Sequence, residues 1–287
     1  MKRILFPTDL SEHSGAALPH AINLAALEGG ELHLLHVMTL HGPDGPNGAL
    51  MGELTGEDQA REALDSMQTG ESRVIRSVVR AIAPSPAILD YADMNDVDAI
   101  VMACHGRRGF RRLLLGSVTE EVIRAGRWPV LTVRQGPKAM VATSNYGRVL
   151  APVDFSVNTP PGVAVAADLA RRFTARLDLV HVIDIPILPE FYGPVMAPSL
   201  NLEHAMTRAQ EKLATLEESL SDIDVHSDIR VGAATTQILE VAEDGAELIV
   251  LPTHGYSGWD RLLMGSVAEG VLRRAECPVL TLKPADK

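Results

Sequence analysis

Lys2–Ser11 reads KRILFPTDLS, and Gly147–Ser156 reads GRVLAPVDFS. In both, a short apolar run meets a proline, then an aspartate, and ends on a serine. The likeness continues in the same order along the chain. Leu32–Val37 reads LHLLHV against LDLVHV at Leu177–Val182, and His105–Val118 reads HGRRGFRRLLLGSV against HGYSGWDRLLMGSV at His254–Val267. Trp128–Val133 reads WPVLTV against CPVLTL at Cys277–Leu282. Asp9 recurs 145 residues on as Asp154, and Gly116 recurs 149 residues on as Gly265, so only small loop differences separate the copies. Such a period is too long for a solenoid repeat and matches duplication of a whole domain. The copies are expected at 1–135 and 147–287. The polar stretch 136–146, with Gly, Pro, Ser and Asn, serves as linker.

Within the first copy, strands are expected at 2–7, 31–37, 73–80, 98–102 and 129–133. They are continuous apolar runs such as Ile100-Val101-Met102, the pattern of strands covered on both faces. Helical spacing fills the gaps at His13–Leu27, 56–68, Pro86–Asn95 and Leu113–Ala125, the first of them closed by Gly29-Gly30. The second copy repeats the plan, with a long helix at about 200–220. Strands alternating with helices imply an α/β fold: two tandem, doubly wound, five-stranded parallel sheets with right-handed crossovers. Ligands of such sheets sit beyond the carboxyl ends of the strands, where the strand order reverses.

The bulk composition narrows the function classes. A formal charge of −11 leaves no dominant basic surface, which argues against nucleic acid as a main partner. No apolar stretch approaches the ~20 residues of a membrane span, and the N-terminal run is too short for a signal sequence. The two cysteines, Cys104 and Cys277, cannot build a disulfide framework, so a cytoplasmic protein is expected. Aromatic residues make up only 4%, so the cores must be assembled from Ala, Val, Ile and Leu.

After the first strand of each copy come Asp9 and Asp154. A carboxylate there can accept from a ribose hydroxyl, or it can cap the following helix; Ser11 and Ser156 are alternative caps. After the fourth strand, Gly106 is followed, after nine intervening residues, by Gly116-Ser117, and Gly255 by Gly265-Ser266. Glycine, serine and a helix start let backbone N–H groups and a hydroxyl converge on an anion. The same residues also suit a plain loop and cap, but two copies, each preceded by His and followed by Val, favour a shared ligand. The histidines His36, His181, His105 and His254 lack zinc-site spacing and read as hydrogen-bonded structural residues. Cys104 reads as a buried inert thiol rather than a redox sensor. Asp222, Asp224 and Asp228 read as decoration of an exposed strand face, and the Gly/Pro-rich segments 38–55 and 183–199 as lids or connectors.

These motifs resemble the universal stress protein family in its tandem-domain form, over nearly the whole chain. The resemblance rests on P-x-D after strand one, His-Val closing strand two, H-G-x9-G-S-V and the closing P-V-L strand. It implies a Rossmann-like fold of the adenine nucleotide alpha hydrolase type. It also implies ATP or another adenine nucleotide, with or without Mg, as ligand. On that basis Asp9 would contact the ribose and Val37 the adenine, while Gly106, Gly116, Ser117 and Val118 would hold the phosphates. The second-copy counterparts would be Asp154, Val182, Gly255, Gly265, Ser266 and Val267. ATP-binding members carry G-x2-G-x9-G-[ST], and this chain departs at the first glycine, with Ala103 in one copy and Pro252 in the other. Alanine keeps its N–H; proline loses it and adds a ring. Arg107, Arg108, Arg111 and Arg112 suit phosphate in the first loop, whereas Tyr256, Trp259, Asp260 and Arg261 make the second less welcoming to a polyphosphate. The first copy is therefore the favoured site.

A Walker A loop and a dinucleotide fingerprint are both missing from the sequence. No nucleophile–base set recurs in both copies, so the expected role is a nucleotide-binding sensor or regulator rather than an enzyme. Two readings remain beside it: a tandem scaffold acting through protein contacts or another ligand, and a slow ATP hydrolase. Apolar closing strands point to pairing of the two copies with each other, or to a homodimer.

Overall fold

The computed structural model describes residues 1–39, 49–70, 73–104, 115–134, 145–184, 202–253 and 264–283. Two compact units emerge. The first holds β1 (Arg3–Thr8), α1 (Glu12–Gly15), α2 (Leu18–Ala26), β2 (Glu31–Thr39), α3 (Ala49–Ser66) and β3 (Arg73–Ala81). It continues with α4 (Pro84–Met94), β4 (Ala99–Ala103), α5 (Ser117–Ala125) and β5 (Val130–Val133). The second holds β6 (Arg148–Pro152), α6 (Thr159–Phe173), β7 (Arg176–Ile183), α7 (Leu202–Ser219), β8 (Val225–Val231), α8 (Ala234–Glu243), β9 (Leu248–Pro252) and α9 (Ser266–Arg274). Strand β10 (Val279–Leu282) belongs to the first unit.

The first five strands lie parallel in the order β3-β2-β1-β4-β5. Beyond β5, β10 adds an antiparallel strand with Leu280 opposite Leu131. Thr132 and Thr281 fasten the pair further, each hydroxyl donating to a backbone carbonyl across it. In the second unit β9, β6, β7 and β8 lie parallel in that order. The expected strands stand within one or two residues of the observed ones. Ile4, Leu5, Phe6, Leu32, Leu34, Leu35 and Ile100 are fully buried, as continuous apolar runs require when helices cover both faces. The chain moves from β1 out to β3 and then returns to β4 on the other side of β1. That reversal opens a crevice at the carboxyl ends of β1 and β4.

The helices depart from the expectation in two informative places. The single helix expected over 13–27 is broken into α1 and α2. Pro19 has no N–H to give to Gly15, so the chain makes a tight turn, Ala17 N to Ser14 O, before α2 starts. The helix expected from residue 113 begins at Ser117, with Gly116 extended ahead of it. The segments expected as loops at 38–55 and 183–199 are also shorter, because β2 runs to Thr39, α3 starts at Ala49 and β7 includes Ile183.

The helix ends obey the same geometry in both copies. Gly29 takes a left-handed φ of 60°, and Gly30 N closes on Ala25 O at 2.8 Å. In the second unit Thr174 takes the left-handed position with φ 54°, and Ala175 N closes on Ala170 O at 2.8 Å. A β-branched residue is strained there and glycine is not. Thr174→Gly is expected to raise stability by about 0.5–1 kcal/mol. A urea midpoint equal to or below that of the wild type would refute this.

Candidate functional site

The first unit carries its repeated motifs at one end of the sheet. Thr8 ends β1 opposite His36 of β2, and Asp9 follows. Leu10 is left-handed with φ 61°, as is its counterpart Phe155 with φ 58°, so both copies make the same strained turn after the aspartate. A closed set of hydrogen bonds holds that turn. Leu10 N donates to Thr8 Oγ1 at 3.0 Å, and Ser14 Oγ donates to Ser11 O at 2.9 Å. With the Ser14 proton so committed, the Thr8 hydroxyl is the donor in its 2.8 Å contact with Ser14 Oγ.

Of the two roles open to Asp9, capping falls to Ser11, whose hydroxyl accepts from Ser14 N at the start of α1. Asp9 instead orients that serine, its Oδ1 accepting from Ser11 N at 3.0 Å and Ser11 Oγ at 2.6 Å. In the second unit Asp154 Oδ1 accepts from Ser156 N and from Thr159 Oγ1, both at 2.9 Å. Ser156, the alternative cap, does not cap α6. Its hydroxyl accepts from Asn158 N at 3.3 Å, one residue ahead of the helix.

Strand two supplies a histidine in each copy. His36 Nδ1 donates to Thr8 O, and His181 Nδ1 donates to Val153 O, both at 2.8 Å. Burial holds the His181 imidazole below its ordinary pKa, so the ring is neutral and its Nε2 is an acceptor. These two are structural histidines, as expected; His105 and His254 lie outside the described residues. Val37 and Val182, the residues after them, are half-buried. In the second unit Phe155 lies on His181 with ring centroids 4.4 Å apart, and Lys212 of α7 stands 4.7 Å over the Phe155 ring. The first unit has Leu10 in that place.

Beyond strand four, Gly116 N donates to Cys104 O at 2.6 Å, and Gly265 N donates to Thr253 O at 2.8 Å. A Cβ on Gly116 would stand 2.8 Å from Cys104 O, so close approach of two backbones requires glycine there. In α5 the first bond of the helix runs from Glu120 N to Gly116 O. The N–H groups of Ser117, Val118 and Thr119 therefore have no carbonyl within the helix, and they head an end that carries partial positive charge. Gly265, Ser266 and Val267 repeat this at the start of α9.

Sequence reasoning missed Thr119. Its buried hydroxyl donates to Ala103 O at 2.9 Å, a second staple between α5 and the end of β4. The second copy has Ala268 there, a difference visible in aligning SVTEE with SVAEG. Gly106, Arg107 and Gly255 lie outside the described residues, as do Arg108, Arg111 and Arg112. The three aspartates read as strand decoration divide otherwise. Asp222 pairs with Arg171 outside any strand, Asp224 O accepts from Leu177 N at 2.9 Å, and Asp228 pairs with Arg230 on β8.

Cys104 is 2% exposed, and burial pushes its thiol up to about 11. Only the thiolate is nucleophilic, so the residue is inert at neutral pH. Ellman's reagent is expected to leave Cys104 and the buried Cys277 unmodified in native protein and to titrate both in denaturant. Rapid labelling of native protein would contradict it. Among the described residues no helix is long and apolar enough to cross a membrane, and no cluster of His, Cys, Asp and Glu could hold a metal ion.

Comparison with known proteins gives a consistent result. The model of the universal stress protein family matches residues 1–134 and again 145–283. A universal stress protein of Mycolicibacterium smegmatis is 28% identical over 98% of this chain and 97% of its own. One of Methanocaldococcus jannaschii is 31% identical over 50% of this chain and 85% of its own. Among solved structures, a universal stress protein from Archaeoglobus fulgidus superposes with a TM-score of 0.72 at 25% identity, covering 99% of this chain and 97% of that one.

Proposed function

Since the chain belongs to the universal stress protein family and carries its domain twice, we propose that the first copy binds ATP or a related adenine nucleotide and that the protein acts as a nucleotide-responsive regulator in the cytoplasm. The observation that carries this reading is the close approach of the α5 amino end to the carboxyl end of β4, where Gly116 leaves no room for a side chain, with Asp9 following β1 and Val37 and Ala103 near the ends of β2 and β4. Each part suits one portion of the ligand. The Asp9 carboxylate would accept from ribose hydroxyls. The backbone at Val37 would read an adenine edge. Ser117 and Val118, with Gly106 and Arg107, would receive the phosphates, since helix amino ends and guanidinium groups both favour polyanions.

The second copy keeps Asp154, Val182, Gly255, Gly265, Ser266 and Val267, yet Pro252 removes the N–H that Ala103 retains. The reading is thus asymmetric: one nucleotide per chain, held by the first copy, with the second serving a scaffold role. Calorimetry with ATP and Mg on protein freed of co-purified ligand is expected to give one site per chain. No heat of binding would sink the proposal. The asymmetry fails if Gly265→Ala abolishes binding while Gly116→Ala leaves it intact.

A further inference from the structure

Gly162 stands in the first turn of α6, between Pro161 and Val163, and glycine is an unfavourable helix residue. A Cβ at Gly162 would stand 3.1 Å from Cγ and 3.4 Å from Cδ of Pro252, so a methyl there would press on the proline ring, and the ring would have to give by a few tenths of an ångström. The corresponding positions in the first unit, read through the repeat offsets of 145 and 149 residues, are Ala17 and Ala103. Ala17 is fully buried. The first unit therefore has alanine at both positions, and the second sets a bare α-carbon against a pyrrolidine ring. Pro252 is thus a seated residue with its own socket, not a ring forced into a loop made for something smaller.

The geometry points to Gly162 and Pro252 as one steric pair that sets the selectivity of the second unit, withholding it from the nucleotide the first unit takes. This rests on the nucleotide reading of the first unit. The ring is held against α6, φ at residue 252 is fixed, and no N–H is available at the end of β9. Reverting the proline alone leaves the socket empty. Reverting both positions restores the alanine pair of the first unit.

The test is a double-mutant cycle on the full chain with two readouts, melting temperature and ATP stoichiometry. In wild-type background Gly162→Ala is expected to lower the melting temperature by roughly 2 °C or more, because it overpacks the ring. In the Pro252→Ala background the same change is expected to raise it by roughly 2–4 °C, from helix propensity alone. A rise of equal size in both backgrounds overturns the pair. For selectivity, the double variant is expected to bind two ATP per chain where the wild type binds one. A double variant that still binds one, with the reversal in stability observed, overturns the selectivity role and leaves the nucleotide reading of the first unit standing. Wild type and double variant both binding none overturns that reading and the selectivity role together.

Discussion

Asp178→Ala is expected to cost about 3 kcal/mol of stability, the low end of the range for breaking a buried ion pair. Asp178 lies on β7 and is only 3% exposed, facing Leu150 of β6 in register. Both its oxygens are taken: Arg148 Nε donates to Oδ2, and Arg176 Nε donates to Oδ1 at 2.6 Å. Arg148 also donates through Nη1 to Asp244 O at 2.5 Å, tying the end of α8 to the same cluster. Removing the carboxylate deletes two charge-assisted hydrogen bonds and leaves two guanidinium groups side by side. Each arginine keeps partial access to water, with side chains 25% and 40% exposed, which is why the low end of the range applies. The change should appear as a fall in melting temperature of roughly 6–12 °C. A cost below about 1 kcal/mol would mean that the two arginines turn to solvent without loss.

The second large effect is on binding. Gly116→Ala is expected to weaken ATP at least tenfold, about 1.4 kcal/mol, and to cost about 1–3 kcal/mol of stability from overpacking. The new methyl would stand 2.8 Å from Cys104 O, a backbone atom that cannot turn aside. The loop must move outward, which breaks the 2.6 Å bond from Gly116 N and displaces the amino end of α5. Calorimetry at matched concentrations of folded protein separates the two losses. Wild-type affinity in the variant would show that the phosphates do not rest on this end of α5.

Why some of this was readable in the chain and some was not follows from the range of the forces. The strands were plain because a strand buried on both faces must be apolar throughout, as in Ile4-Leu5-Phe6, and the repeat supplied each run twice. The break between α1 and α2 was hidden because Pro19 sits inside an unbroken apolar period. The strain at Leu10 and Phe155 left no mark at all, since a left-handed turn is usually announced by glycine and here is held by the serine N–H bonds to Asp9 and Asp154. The crevice at the carboxyl ends of β1 and β4 was legible from topology alone. The partner of Asp9 was not, because a carboxylate two residues before a serine suits two geometries equally. Gly162 was the hardest. Its reason lies 90 residues away in Pro252, and a lone helix glycine carries no sign of what fills its space.

The antiparallel pairing of β10 with β5 has a consequence for synthesis. Val130–Val133 leaves the ribosome well before Val279–Leu282 has been translated. At roughly 5–20 residues per second, the nascent first unit waits on the order of 7–30 s with one flank of its sheet unmated. During that interval its exposed backbone is open to any neighbouring chain on the same message. Slow or stalled translation across the second copy lengthens the exposure, so the yield of correctly assembled protein is tied to the speed at which its own later codons are read.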